Sequence, residues 1–431
     1  MVKKLINTAL INGLLLFNLF LSALTAYGEE QTLLLKYKAL AIETKNERPV
    51  VGLTLSAADI NKDNRNEIVV SGNGYMRIFD WNGKIFEARW KSPQYSYLLG
   101  VGNASLAKIS GLVPASYYLN GQLETDYIYF GYTAAKSSDI YKIIWNKNNY
   151  ELQKKSAAPF NWFKLGGNCG DGSSLIIGSK QHEKGNYIIA YKWNGAELVE
   201  KWQGVFGGEI KASGTMPSST NKSGSVFLVQ DKQKIGILSC NIDSVESKDV
   251  DRIPGAIDLW NNNRVGYGKS LLGFTRKSAY ADLWSIQYSD NDREYNAKLY
   301  VSQFDQKTFS LFSRVYFKGI DSDMIFNMII TDVDNDGVGE ILGVEERIRK
   351  KIPRKRQPGD TGEEGDTLLI TSNLFLAKWN GMEYVVKWHG KAVDEKVRNI
   401  AVGDVTGDSH KEILVTDDNG YLYVFDMPAD K

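Results

Sequence analysis

Asp332-Val-Asp-Asn-Asp336-Gly-Val-Gly-Glu340-Ile-Leu-Gly343 is the stretch on which the reading of this chain turns. Carboxylates stand at its first, third, fifth and ninth positions, and an apolar run follows at once. Two other segments share the design: Asp59-Ile-Asn-Lys-Asp63-Asn-Arg-Asn-Glu67-Ile-Val-Val70 and Asp404-Val-Thr-Gly-Asp408-Ser-His-Lys-Glu412-Ile-Leu-Val415. All three have acids at positions one, five and nine. An oxygen-rich loop opening into a strand is therefore a repeated unit.

A second motif tracks the first. Trp-Asn-Gly occurs at Trp81, Trp193 and Trp379, with a degenerate copy at Trp145-Asn146-Lys147, and Asn-Gly between apolar runs signals a hairpin. In the three full copies another tryptophan follows nine residues later, at Trp90, Trp202 and Trp388. One unit thus reads as strand, acidic loop, strand, glycine turn, strand, Trp-Asn-Gly turn, strand. Such a meander cannot cover both its faces alone, and radial stacking of copies into a β-propeller protects the sheet edges.

The expectation is an all-β, seven-bladed propeller of four-stranded antiparallel blades near 46–95, 100–157, 160–203, 204–250, 251–318, 320–390 and 397–427. The fourth and fifth copies are faint, so six and eight blades are the alternatives. The last copy lacks a fourth strand, and the strand-like run from Leu33 to Ile42 is expected to complete it and close the ring.

Composition agrees with many short strands. Aromatic residues make up 12% of the chain, and 40 glycines stand against 9 prolines. Residues 1–28 have the grammar of a secretory signal: Lys3 and Lys4, an apolar run from Leu5 to Ala26, and the small-residue end Ala26-Tyr27-Gly28. An uncleaved anchor helix is the alternative. The mature chain, 29–431, is expected outside the cytoplasm, secreted or at the cell surface, with no membrane span after cleavage. It carries 50 basic against 51 acidic residues, a balance that offers nucleic acid no general attraction. Cys169 and Cys240 are the two cysteines, and their pairing is left open.

These units resemble the FG-GAP or VCBS repeats of integrin alpha subunits and of many bacterial surface proteins, over nearly all of the mature chain. Calcium wants six to eight oxygen ligands, which alternate residues of a tight loop can supply. The resemblance implies Ca2+ ligation by Asp332, Asp334, Asp336, the Val338 carbonyl and Glu340. The matching sets are Asp59, Asn61, Asp63, the Arg65 carbonyl and Glu67, and Asp404, Thr406, Asp408, the His410 carbonyl and Glu412. An EF-hand would need glutamate at position twelve, where Val70, Gly343 and Val415 stand. Solvated turns without metal are the plainer alternative.

The sixth unit is longer than the first: 47 positions separate Asp332 from Trp379, against 22 from Asp59 to Trp81. The insertion, residues 346–367, is expected as a loop that opposes the acidic loops and carries Lys350, Lys351, Arg354, Lys355 and Arg356, a basic group suited to an anionic glycan or acidic protein. A self-compensating polar hairpin is the alternative. The chain has three histidines and no nucleophile elbow, zinc-protease helix or phosphate loop. The functional expectation is a monomeric, calcium-stabilised binding or scaffold propeller for a protein or glycan partner. A polysaccharide-acting enzyme with a carboxylate site in the channel is the alternative.

Overall fold

The structure is a computed structural model that describes residues 33–43, 50, 53–93, 110–132, 138–158, 162–169, 171–182, 185–206, 210–216, 224–230, 235–240, 245–250, 265–266, 270–273, 275–276, 282–289, 296–304, 309–314, 325–352 and 367–427. The expected signal segment, 1–28, and Arg354, Lys355 and Arg356 lie outside these residues.

The described residues are all-β and form seven antiparallel sheets. Strand β1 (Leu35–Leu40) comes first in the chain. The first sheet holds β2 (Thr54–Ala58), β3 (Glu67–Gly72), β4 (Tyr75–Trp81) and β5 (Phe86–Lys91). The second holds β6 (Ser110–Leu119), β7 (Gln122–Tyr132), β8 (Ser138–Trp145) and β9 (Tyr150–Ala158). The third holds β10 (Trp162–Asn168), β11 (Ser174–His182), β12 (Gly185–Trp193) and β13 (Leu198–Phe206). The two copies that are faint in sequence are sheets as well. The fourth has β14 (Ile210–Met216), β15 (Gly224–Gln230), β16 (Ile235–Cys240) and β17 (Val245–Val250). In the fifth, β18 (Val265–Gly266) and β19 (Ser270–Gly273) both pair with β20 (Asp282–Ser289), and β21 (Asn296–Phe304) and β22 (Phe309–Arg314) follow. The sixth holds β23 (Ile325–Thr331), β24 (Glu340–Ile352), β25 (Thr367–Trp379) and β26 (Tyr384–Val393). The seventh has β27 (Val397–Gly403), β28 (Glu412–Asp417) and β29 (Tyr421–Asp426), with β1 on its outer edge beside β29. The two ends of the described chain thus share one sheet.

Apolar runs with no polar alternation explain how the sheets meet. In β3 all six residues are buried, because Ile68 and Val70 face one neighbour while Val69 faces the other. Ile68 and Val70 pack with Leu414, Leu422 and Val424 of the seventh sheet. Val69 and Ile78 pack with Tyr129, Ile143 and Tyr150 of the second. The same sharing joins the second sheet to the third, the third to the fourth, and the sixth to the seventh. Contacts also link first strands in order, β2 to β6, β10, β14, β19, β23 and β27, and β27 touches β2.

The repeat tryptophans belong to this packing. Trp81 lies 4.8 Å from Phe86 across its turn and Trp379 4.9 Å from Tyr384. Trp90, Trp202 and Trp388 each follow a bulge in their own strand, at Arg89, Lys201 and Lys387, and join the apolar clusters between sheets. The nine-residue spacing is therefore one turn plus a bulged hairpin.

Cys169 and Cys240 form a disulfide, both sulfur-bearing residues buried between the third and fourth sheets. It closes a sequence separation of 71 residues, a loop large enough for the cross-link to stabilise by on the order of 4 kcal/mol through the unfolded chain. Replacing both cysteines with alanine is expected to lower the denaturant midpoint of the chain. Reduction of the native protein should reproduce the loss, and an unchanged midpoint in both cases would contradict it.

Candidate metal centres

Three acidic loops start from identical strand geometry. The residue opposite the last residue of the first strand is always the glutamate: Ala58 faces Glu67, Thr331 faces Glu340 and Gly403 faces Glu412. Each glutamate is 1% exposed, while the acids nearer the loop tips, Asp63, Asp336 and Asp408, lie at the surface.

The backbone turns are alike too. Left-handed residues occupy the fourth and sixth positions of every loop: Lys62 and Asn64, Asn335 and Gly337, Gly407 and Ser409. Asn64 and Ser409 take the conformation that glycine provides in the sixth sheet, at a cost of roughly 1 kcal/mol or more per side chain. Side-chain oxygens answer the exposed amides. Asp59 accepts from Asp63 and Asn64, and Asp332 accepts from Asp336 and Gly337, all through backbone N–H groups. Asp404 accepts from the Gly407 and Ser409 amides. Asn61 and Asp334 each accept the fifth-position amide. The amides of Arg65, Val338 and His410 donate to Asp63, Asp336 and Asp408 respectively. One oxygen of each buried glutamate takes the amide of the loop's second residue, at 2.7 Å in Ile60, 2.8 Å in Val333 and 3.0 Å in Val405.

Charge is concentrated beyond what the loops themselves hold. Asp80 and Asp426 come one residue after Phe79 and Phe425, which face Ile68 and Ile413, and each adds a fourth carboxylate beside its loop. In the sixth sheet the residue before the repeat tryptophan is instead Lys378, and the fourth carboxylate is Asp334 within the loop. At every centre a side-chain cation pairs with the carboxylates. Arg65 pairs with Asp63 at 2.6 Å and donates to the Trp81 carbonyl. Lys36, at a bulge in β1, bridges Glu412 at 2.9 Å and Asp426 at 2.5 Å. Lys378 reaches Asp334, Asp336 at 3.1 Å and Glu340 at 3.0 Å.

Titration follows these surroundings. Burial pushes the Glu67 carboxyl up to about 7, with the Ile60 amide opposing and the charge of Asp80 adding. Its second oxygen makes no aligned hydrogen bond among the described residues, the Tyr150 hydroxyl being the neighbour that faces it. Burial also raises Glu340, against the Val333 amide and Lys378. Burial would lower Lys36, yet hydrogen bonds to Asp426 and Glu412 carry it to about 12.

Oxygen donors alone, four carboxylates per centre and a buried glutamate at the base of each loop fit a hard divalent cation. Oxygens of Asp332, Asp334 and Glu340 lie within 4.8 Å of one another. Thr406 donates to Glu412 at 2.7 Å, and His410 is exposed with Nδ1 3.4 Å from Asp408. The centres are linked in turn. The Asn66 amide donates to the Asp404 carbonyl at 2.8 Å, and Lys411 donates to the Asp332 carbonyl and to Asn335.

The other end of the sixth sheet is different. β23 stops pairing at Glu345 and β26 at Ser372, so β24 and β25 continue as a two-stranded ribbon to Ile352 and Thr367. Residues 346–352, expected as loop, are strand, because the insertion supplies its own antiparallel partner. Lys350 and Lys351 lie in this ribbon opposite Leu369 and Leu368. At its base Glu345 is fully buried and meets Arg347 at 3.1 Å, His389 at 2.9 Å and Asn373 at 3.0 Å.

Sequence spacing brought the loop acids together but gave no notice of Lys36, Lys378, Asp80, Asp426 or the Glu345 cluster. For Asp80 and Lys378 a signal existed, since both precede the tryptophan of Trp-Asn-Gly. Among the described residues no helix is long and apolar enough to cross a membrane. No protein-family profile matches the chain, and no curated protein matches it. Among solved structures it is similar to the WD40 domain of SCAP from fission yeast, at 10% identity over 84% of this chain and 82% of that one, with a TM-score of 0.39. That likeness is too distant to inform the site.

Metal-free Glu67 binds its proton more tightly folded than unfolded, where its value is near 4.5. The associated stability is present at acid pH and is lost as pH rises from about 4.5 towards 7, by on the order of 3 kcal/mol at most. In chelator, Glu67→Gln should flatten the melting temperature across that window and raise it at mildly alkaline pH. An unchanged pH profile would show that Glu67 does not carry the effect.

Proposed function

We infer that the chain is a seven-bladed β-propeller closed by β1, whose three acidic loops are ordered by calcium and whose frame presents a binding surface to a protein or glycan outside the cytoplasm. The observation that carries this reading is the threefold recurrence of one loop: the same register, the same left-handed pair and the same amide bond from its second residue to a buried glutamate. Solvated turns with no ion would not need a carboxylate that is 1% exposed at their base.

Calcium would be held by Asp59, Asn61, Asp63, the Arg65 carbonyl and Glu67, by Asp332, Asp334, Asp336, the Val338 carbonyl and Glu340, and by Asp404, Thr406, Asp408, the His410 carbonyl and Glu412. Bound there, it neutralises clustered acids and stiffens the loops. Closure is supported by the run of first-strand contacts that returns from β27 to β2. Export is supported by the Cys169–Cys240 disulfide, a bond that persists in oxidising compartments. The self-paired ribbon of β24 and β25, with Lys350, Lys351, Arg354, Lys355 and Arg356 in or beyond it, is the recognition element for an anionic partner.

Calcium at about a hundred times its dissociation constant stabilises by about 2.7 kcal/mol per site. Chelator is therefore expected to lower the melting temperature and added calcium to restore it, and a melt indifferent to both would remove the metal from the account. Changing Lys350, Lys351, Arg354, Lys355 and Arg356 together to serine should abolish salt-sensitive retention on an immobilised sulfated polysaccharide without shifting the melt. Retention equal to that of the native chain would remove the ribbon's assigned role.

A further inference from the structure

At one third-strand position beside the loop, the sixth-sheet centre carries the opposite charge to the other two. Asp80 precedes Trp81 and Lys378 precedes Trp379, and these tryptophans face Phe86 and Tyr384 in the same register. Where the first centre gains an acid, the sixth gains an ammonium on a flexible stem.

That ammonium lies in the place a metal would need. Its Nζ reaches Asp334, Asp336 at 3.1 Å and Glu340 at 3.0 Å, and Asp334 and Glu340 are two of the three acids whose oxygens lie within 4.8 Å of one another. Burial would lower this lysine, but hydrogen bonds to Asp334, Glu340 and Asp336 hold it above the usual lysine range. The Lys378 side chain is 23% exposed, so it has a way out to solvent, whereas Glu340 at 1% has none.

We propose that Lys378 is a tethered cation that competes with metal at the sixth-sheet loop, keeping that loop folded when no divalent ion is bound and leaving when one enters. This rests on the reading of the loops as calcium centres and adds a ranking to it. Two cations a few ångströms apart inside one carboxylate cage repel strongly, so the ammonium and the metal exclude each other. Binding at this loop is consequently weaker than its four carboxylates alone would give, and the metal-free loop is already ordered. The first-sheet centre, with Asp80 at the same position, has no such competitor from its third strand and depends more on the ion.

The test is calorimetric titration of calcium chloride into the chelator-treated full chain, with native Lys378, Lys378→Met and Lys378→Arg. Lys378→Met keeps most of the apolar stem and is expected to tighten one class of sites at least tenfold, a gain that Asp332→Asn in the same chain removes. Its metal-free melting temperature should fall below that of the native chain and recover with calcium. Lys378→Arg, which keeps a cation, should titrate like the native chain. Calcium uptake that is the same in Lys378→Met as in the native chain, or tightened equally by Lys378→Arg, overturns the competition while leaving the calcium reading intact. No uptake by any of the three overturns both. Should Lys378→Met not fold without metal, folding on calcium addition supports the proposal, and failure to fold in either condition overturns it by giving the lysine a role that metal cannot replace.

Discussion

A strand such as Ile68-Val69-Val70 has no polar face to offer water, and this constraint governs the rest of the molecule. All six residues of β3 and all six of β28 are buried. A meander built on such strands must be covered on both sides, and the covering partners available in this chain are further copies of the same meander. Each apolar cluster among the described residues accordingly draws on two sheets rather than on one. The seventh sheet takes its outer strand from the start of the described chain, which places the most distant segments in sequence against each other.

Two-sided burial creates an electrostatic problem where the second strand begins. Glu67, Glu340 and Glu412 occupy its first position and are almost wholly removed from water, where an uncompensated carboxylate is costly. The chain places a backbone amide against each of them and then differs in the cation nearby: Arg65, paired with Asp63 in its loop, Lys378 from the third strand, and Lys36 from β1. Lys36 does two things at once. By bridging Glu412 and Asp426 from a bulge in β1, it answers the buried charge and fixes the edge strand to the two strands beside it. Surface ion pairs contribute little, but a pair with one partner 1% exposed is dearly broken, since its loss leaves a buried charge behind.

Local features were the legible part of this sequence. The acidic loops, the Trp-Asn-Gly turns and the apolar runs after each glutamate are contiguous, so spacing alone reveals them. The turn residues Asn64 and Ser409 read as departures from the glycine of Asp336-Gly337, yet all three adopt one conformation because the amide bonds to Asp59, Asp332 and Asp404 require it. Contacts between distant segments were not legible. Lys36 and Glu412 are 376 positions apart, and nothing near Lys36 marks it as a partner for an acidic loop. Cys169 and Cys240 lie 71 positions apart, the second in a copy too faint for its strands to be aligned from sequence, so their pairing emerges only once the third and fourth sheets are placed. The inserted residues 346–352 look like a polar loop because their charges dominate, and only the facing register with residues 367–371 makes them a ribbon.

The ribbon and the loops stand at opposite ends of the sixth sheet and have opposite mechanical characters. At the loop end, side chains and amides satisfy one another and neighbouring loops are tied by Asn66 and Lys411. Beyond Glu345 and Ser372 the ribbon pairs only with itself, so changes of length or charge there disturb no sheet-to-sheet contact of β23 or β26. Its base is nevertheless fixed, because buried Glu345 gathers Arg347 from the ribbon, Asn373 from β25 and His389 from β26. A self-paired ribbon on an anchored base can change in length or charge without loosening the frame, which separates the tolerance of this end of the sheet from the tightly bonded loop end.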